Sequence, residues 1–388
     1  MLLFAILISG ILTMWVPSRW ALSGFQLAIF ALLAGRILAD WRQHRNLRNE
    51  PTGVLLALVI GWGGTQLLLG WSVDPFRTLE EILNWTTNLA AFALAFELAS
   101  HPARRQRFLT GLLIFASVLA VVAMLTAFSS PPGFIAWWID VGTGLPTLGP
   151  FVYRNQYAAF VEVILPIALL RALLSARPAL YLVAIALLFA SVIAGGSRTG
   201  AILCATEIVL VPLLAWTRGL APGRAIVRVT LGSLLAVASF TLVAGWEFIW
   251  ARFQEPNPYG LRWDLLRSSI EMVKARPWTG FGLGTWAQAY PGFALFDDGN
   301  YVNQAHNDWA QWTVEGGIPM LAILLAVAAR AVRPALRSIW GVGLLAVLLH
   351  SCVDYPLQQR PVLAAFFFVM LGLAMNPPAP DHLSPNPS

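Results

Sequence analysis

The sequence predicts an all-α polytopic membrane protein, with about twelve transmembrane helices and one large helical loop between the ninth and the tenth. Three observations predict it. Hydrophobic residues make up 58% of the chain and charged residues only 11%, against about 25% charged in a soluble domain. With a mean hydropathy of +0.68, the solvent for this surface must be lipid. The apolar residues fall in runs long enough to cross a bilayer, which takes about 20 helical residues. The arginines gather in short clusters between alternate runs, the way a membrane protein records its orientation.

The runs lie at 2–16, 20–38, 53–72, 84–100, 108–128, 156–173, 179–196, 199–216, 228–246, 317–332, 338–353 and 361–376. The first lacks a basic start and a small-residue cleavage site, so it reads as a retained helix. If the helices alternate, Arg42, Arg45 and Arg48 share a side with Arg104, Arg105 and Arg107, then Arg171 and Arg177. Arg218, Arg224 and Arg228 continue the series, and Arg330, Arg333 and Arg337 end it. The positive-inside rule makes that side cytoplasmic, with both termini. The net charge of +6 is thereby explained by topology, and no nucleic acid is implied. Seventeen tryptophans suit the membrane interface, where one end of an indole is apolar and the other wet.

Three sizeable connections fall on the opposite side, 73–83, 129–155 and 247–316. The last is rich in tryptophan and glycine and holds two helix-like stretches, so it reads as functional rather than disordered. No inverted repeat of the transporter kind is visible. Residues 1–376 are expected to form a single integral-membrane domain, with loop 247–316 carrying the active site. Residues 377–388, rich in proline and serine, are expected to be a disordered cytoplasmic tail. Cys204 and Cys352 fall at predicted helix ends on one side, so a disulfide between them is open, and they lack metal-ligand spacing.

Arg262 heads a helix expected over Leu261 to Arg276. Arg267, Glu271 and Lys274 share its solvated face, spaced for salt bridges. Arg262 instead projects with Leu265, Leu266, Ser269 and Val273, toward the membrane domain. An inward arginine needs an anion, because it cannot shed its charge, and a first helical turn favours one. The anion is either a ligand or an acidic side chain elsewhere in the chain. Arg198, in Gly195-Gly196-Ser197-Arg198-Thr199-Gly200, runs against the positive-inside trend. It faces a cavity or partner, or snorkels to the headgroups.

His306 lies in Gln304-Ala305-His306-Asn307-Asp308-Trp309. On a helix expected from there to Glu315 it shares a face with Trp309, Ala310 and Thr313. Histidine is the side chain best suited to move a proton near neutral pH, though a packing role is the plainer reading of one histidine alone. His44, His101, His350 and His382 fall on cytoplasmic flanks, in a helix or in the tail. The run Gly280-Phe281-Gly282-Leu283-Gly284 resembles a phosphate loop, but with no βαβ unit around it the expectation is a flexible turn. Asp297 and Asp298 lack further ligands at a supporting spacing, so no metal is expected.

Together these segments resemble the O-antigen ligase and polymerase superfamily. The most specific match is Ala305-His306-Asn307-Asp308-Trp309-Ala310-Gln311, followed by Glu315-Gly316-Gly317-Ile318-Pro319. Tyr153-Arg154-Asn155-Gln156-Tyr157-Ala158 and Ser197-Arg198-Thr199-Gly200 support it. So do Arg262, Pro277 to Gly284, and His350-Ser351-Cys352-Val353-Asp354-Tyr355-Pro356-Leu357-Gln358. The first 130 residues match only in hydropathy. One departure is Gln156, which stands where many relatives have histidine, and this weakens a catalytic role for the Arg154 segment.

The resemblance implies a GT-C-like membrane glycosyltransferase of the bacterial inner membrane, its active site facing the periplasm. Such an enzyme moves a glycan from an undecaprenyl-diphosphate carrier to an acceptor hydroxyl, with inversion and without metal or other cofactor. By resemblance Arg198 and Arg262 bind the diphosphate and His306 meets the acceptor, while Arg154, Asn155, Asn307 and Asp308 contact substrate. The partners implied are that lipid-linked donor, a glycan or lipid A–core acceptor, and membrane lipids. O-antigen ligase in lipopolysaccharide biosynthesis is the first reading. An O-antigen or exopolysaccharide polymerase and a protein O-oligosaccharyltransferase are alternatives, and a lipid-linked glycan transporter is the reading from another class.

Overall fold

The computed structural model describes residues 1–42, 50–244, 246–256, 259–296, 299 and 301–376. His44, Arg45, Arg48, the Asp297–Asp298 pair and the 377–388 tail with His382 lie outside the described residues. The first helices are α1 (Leu2–Thr13), α2 (Arg19–Arg42), α3 (Pro51–Leu68), α4 (Pro75–Ala99) and α5 (Pro102–Ser129). A hairpin of β1 (Phe134–Ile135) and β2 (Ile139–Asp140) follows. Then come α6 (Arg154–Leu174), α7 (Ala179–Gly195), α8 (Arg198–Thr217), α9 (Gly223–Ala244), α10 (Trp246–Phe253), α11 (Gly260–Ala275) and α12 (Trp286–Ala289). The chain closes with α13 (Asp308–Ser338), α14 (Val342–His350) and α15 (Pro361–Met375).

Each of the twelve expected runs overlaps a helix. By length and composition α2, α3, α5, α6, α8, α9 and α13 can cross a membrane, and α1, α7 and α15 are shorter apolar helices. Two expectations are corrected. Residues 75–83 are not a connection but the first turns of α4. Pro75 presets the first turn, and the Asp74 carboxylate accepts from the free N–H groups of Phe76 and Arg77. The run at 338–353 yields only the nine-residue α14, about 14 Å of rise, because turns at both ends of the run interrupt it.

Helix α6 is the centre of the bundle. Of its apolar window 83% is buried, against 17% for α2 at the rim. Around the outside, Leu27, Leu68, Ile114, Leu180, Leu235 and Leu242 stand exposed. Water would penalise such a belt, and lipid accepts it. A glycine sets the closest approach to α6: a Cβ on Gly343 would lie 2.1 Å from the Glu162 carbonyl oxygen. The contact lets α14 press His350 against α6, where its Nδ1 meets Glu162 Oε1 at 2.7 Å, both side chains fully buried.

The bundle has two chemically different ends. At one, Arg171 donates to Gln106 and Thr110, and Arg218 to the carbonyls of Leu336 and Arg337. Arg330 pairs there with Glu50 at 2.6 Å. These contacts pair the 104–107 connection with that at 171–177, and the 330–337 connection with those at 218–228 and 50. The other end carries the segment between α9 and α13, which folds around its own small core of Leu265, Met272, Phe281, Trp286, Tyr290 and Val314.

Helix α13 bends where this segment joins the bundle. Gly317 has φ 69° and ψ −173°. A Cβ there would lie 2.7 Å from the Trp278 carbonyl oxygen, so only glycine fits. The bend leaves a short outer helix starting at Asp308 and a longer apolar stretch running toward the arginine-rich end.

Candidate active site

Asp354 is the hub of the site. It sits in the turn between α14 and α15 with its side chain fully buried. Arg262 Nη2 donates to its carboxylate at 2.8 Å, while Arg262 Nη1 donates to the Val353 carbonyl at 2.8 Å. Asn155 donates to the same carboxylate, and so does the Tyr153 hydroxyl at 3.2 Å. The Tyr355 N–H adds a backbone donor at 2.9 Å. Burial alone pushes the Asp354 carboxyl up, but His306, the Arg262 guanidinium and His350 together pull it below the ordinary carboxylate range. Arg262 is shifted up in return: burial works against its charge, and Asp354 and the neighbouring tyrosines outweigh that. The anion that the inward-facing Arg262 required is therefore supplied by the chain itself.

His306 stands beside this pair, its Nδ1 3.8 Å from Asp354 Oδ1. That separation is too long for a hydrogen bond, and Nδ1, buried, makes none. The ring meets Tyr355 edge-on at 4.6 Å between centroids, and Tyr355 stacks on Tyr153 at 5.0 Å. The expected helical placement of His306 is corrected. Helix α13 begins at Asp308, because the Asn307 side chain caps it by accepting from the Ala310 N–H. His306 lies before that cap with φ 53°, a conformation that non-glycine residues rarely take. It therefore shares no helical face with Trp309, Ala310 and Thr313.

Arg198 is the first residue of α8, capped by Ser197, and it is 9% exposed. Its Nη1 meets Glu255 at 3.2 Å. The guanidiniums of Arg198 and Arg262 both lie over the Tyr259 ring, at 5.3 and 5.5 Å from its centroid. One aromatic face thus carries the two cations that the sequence places 64 residues apart. Ser197 also donates to Asn155 Oδ1 at 2.7 Å, tying the start of α8 to the start of α6 and, through Asn155, to Asp354.

The remaining expected residues divide. Arg154 is half-buried in the first turn of α6 next to Tyr153. Asn307 and Asp308 hold the 351–357 turn: Asn307 donates to the Cys352 carbonyl at 2.6 Å, and Asp308 accepts from Ser351 and the Leu357 N–H. Gln156 is buried and donates to Gln359 at 3.4 Å. On the solvated face of α11, Lys274 pairs with Glu271 as expected, but Arg267 pairs with Asp264 rather than Glu271. Cys204 is buried and Cys352 exposed, both as free thiols, so the open disulfide does not form.

The glycine-rich run is a turn, but a densely bonded one. The Gly284 and Trp286 N–H groups point at the Glu315 carboxylate, at 3.0 and 3.4 Å. Phe281 and Gly282 donate to the Val314 and Glu315 carbonyls. Gln66 from α3 adds bonds to Thr279 and Glu315.

Sequence reasoning singled out Arg198, Arg262 and His306 and missed Asp354, Tyr259, Tyr153 and Tyr355 as parts of the same site. Asp354 and Tyr355 stood in the quoted His350–Gln358 match and Tyr153 in the Tyr153–Ala158 match, but none was given a role. The family described as O-antigen ligase matches residues 183–325 of this chain. The matched span holds Arg198, Tyr259, Arg262 and His306 and ends before Asp354. No curated protein matches the chain.

Proposed function

From an O-antigen ligase-like chain over residues 183–325, we propose a membrane glycosyltransferase. It moves a glycan from an undecaprenyl-diphosphate carrier to an acceptor hydroxyl, most closely as an O-antigen ligase. The observation that carries this reading is the convergence of Arg198, Arg262 and His306 around Tyr259 and the Asp354 carboxylate. Two fixed cations beside a histidine suit a reaction that separates a sugar from a diphosphate.

In this mechanism the guanidiniums of Arg198 and Arg262 take the diphosphate oxygens, for which a planar, permanently charged fork is well shaped. The acceptor oxygen attacks the anomeric carbon. The bond from that carbon to the phosphate oxygen breaks, and its electron pair stays on the diphosphate, where the arginines offset the growing charge. Attack from the face opposite the leaving group inverts the anomeric centre. His306, its Nδ1 3.8 Å from the Asp354 carboxylate, is assigned to take the acceptor proton. Asn307 and Asp308 are assigned to holding the Asp354 turn, and Arg154 and Asn155 to the edge of the donor site.

The arginine-rich end is assigned to the cytoplasm and the site to the periplasm, as the positive-inside rule directs. The test is transfer by the purified chain in lipid nanodiscs, given a lipid-linked donor and an acceptor glycan. A glycosidic product with the anomeric configuration opposite to that of the donor supports the reading. Movement of the intact lipid-linked donor across the bilayer, with no new glycosidic bond, would replace it with a transporter.

A further inference from the structure

A cavity among the described residues lies outside the Arg198 and Arg262 cluster. It holds about 760 Å³, within the range that encloses most of a small ligand. Its walls come from the α1–α2 turn, the first turns of α4, the 284–304 stretch, and the 358–362 segment that leads into α15. Neither Arg198, Arg262 nor Tyr259 reaches it. Instead it borrows Gln304 from the strand of chain that ends in His306, and Gln358 and Gln359 from the turn that begins at Asp354.

The chemistry of the lining is unusual for a membrane protein. Seven amides, Asn84, Gln288, Asn303, Gln304, Gln311, Gln358 and Gln359, line this space. Each amide both donates and accepts, as a sugar hydroxyl does. Two of their buried atoms have no hydrogen-bond partner, the acceptor Gln304 Oε1 and the donor Gln358 Nε2. Buried polar atoms are ordinarily satisfied, and these two amides keep hydrogen-bonding capacity that the chain itself does not use. The cations on the wall are already engaged: Arg19 and Arg77 both pair with Glu80, and Arg360 donates to the Met14 carbonyl. The amides outnumber these cations on the wall, which suits a hydroxyl-rich ligand.

We propose that this amide-lined cavity is the binding site for the sugar residues of the acceptor. The inference rests on the glycosyl-transfer reading above and extends it. Donor and acceptor glycans share the chemistry that the amides recognise, so position decides between them. An acceptor that attacks in line must stand across the reacting sugar from the leaving diphosphate. The cavity adjoins the His306 and Asp354 segments and stands apart from the two diphosphate-binding arginines.

Gln288→Trp and Asn303→Trp each place a ring in the cavity from an exposed position outside the catalytic cluster. In nanodiscs each should raise the acceptor KM by about tenfold or more while donor KM and kcat stay within about twofold. A raised donor KM with unchanged acceptor KM would hand the cavity to the donor glycan and overturn the assignment. Unchanged values for both would overturn it as a glycan site altogether. A second measurement does not need turnover: saturation-transfer NMR of a delipidated core oligosaccharide with the full chain, without donor. Wild type should show contact that Gln288→Trp loses. Contact without any transfer would keep the cavity and sink the transferase reading, whereas transfer without contact would do the reverse.

Discussion

Arg262 and Asp354 meet at 2.8 Å across very different surroundings, the acid fully buried and the guanidinium 21% exposed. The carboxylate is locked in the protein, while its partner keeps one side open to whatever binds. On the proposed reading, a diphosphate arriving at Arg262 meets a cation held in place from behind.

Arg262→Ala should abolish transfer and also lower thermal stability, since it strips Asp354 of its charge partner. Breaking a buried pair in this way costs about 3–5 kcal/mol, and the part of Arg262 in contact with solvent reduces that here. Arg262→Lys should stay folded yet transfer poorly, because an ammonium cannot hold Asp354 and two phosphate oxygens with one planar fork. Near-normal turnover with lysine would show that charge alone suffices. Arg267→Ala, on the solvated face of α11, should be mild in both assays.

Tyr259→Ala should weaken donor binding by roughly fivefold, in line with about 1 kcal/mol for a cation over an aromatic face. Tyr259→Phe should restore it, because the ring and not the hydroxyl supports Arg198 and Arg262. Titration of the lipid-linked donor into purified variants checks this. Equal losses for Ala and Phe would move the role to the hydroxyl.

His306→Ala should lose turnover by about a hundredfold or more, the usual size of general-base catalysis, while donor binding persists. His306→Gln should fare little better, as an amide cannot take up a full proton. If His306→Gln kept most of kcat and lost only acceptor affinity, the histidine would be a binding group and not the base.

Acid should expose the Asp354 pair. Its folded value lies below the ordinary one, so its contribution to stability is present above the unfolded carboxylate pKa of about 3.9. It is lost as pH falls through the lower folded value. The thermal midpoint in detergent should hold from neutral pH to about 4 and fall below that. Asp354→Asn should flatten this acid limb and lower the neutral plateau. An unchanged limb in Asp354→Asn would assign the acid loss to other carboxylates.

Topology can be read with reporter fusions. Fusions at Gln106, Gly219 and Leu336 should report cytoplasm, and fusions at Gly144 and Gly299 periplasm. A cytoplasmic signal at Gly299 would invert the placement of the whole site.

The helices were legible because lipid imposes a simple rule, apolar runs of bilayer length, and the arginine clusters repeat with the alternation of the chain. Boundaries were lost where local chemistry overrides hydropathy: Asp74 and Pro75 start α4 early, and flanking turns cut α14 to nine residues. Arg198, Arg262 and His306 could be found because each breaks a rule of its surroundings. Asp354 and Tyr259 break none that is visible along the chain. Their meaning comes from packing, where the acid completes an ion pair 92 residues away in sequence and the ring serves two cations at once.

The turn over Gly280–Gly284 has a consequence for how such chains are searched. Its Gly284 N–H, with the Trp286 N–H just beyond it, points at a carboxylate as a nucleotide loop points at a phosphate, yet that carboxylate belongs to the same chain, Glu315. A glycine fingerprint of this kind reports an anion without reporting whose it is. A scan for ATP-dependent proteins would collect this one for sound physical reasons and be misled. The loop is a lock already holding its own key, and it anchors the outer segment to the membrane helices where a hydrolase would hold fuel.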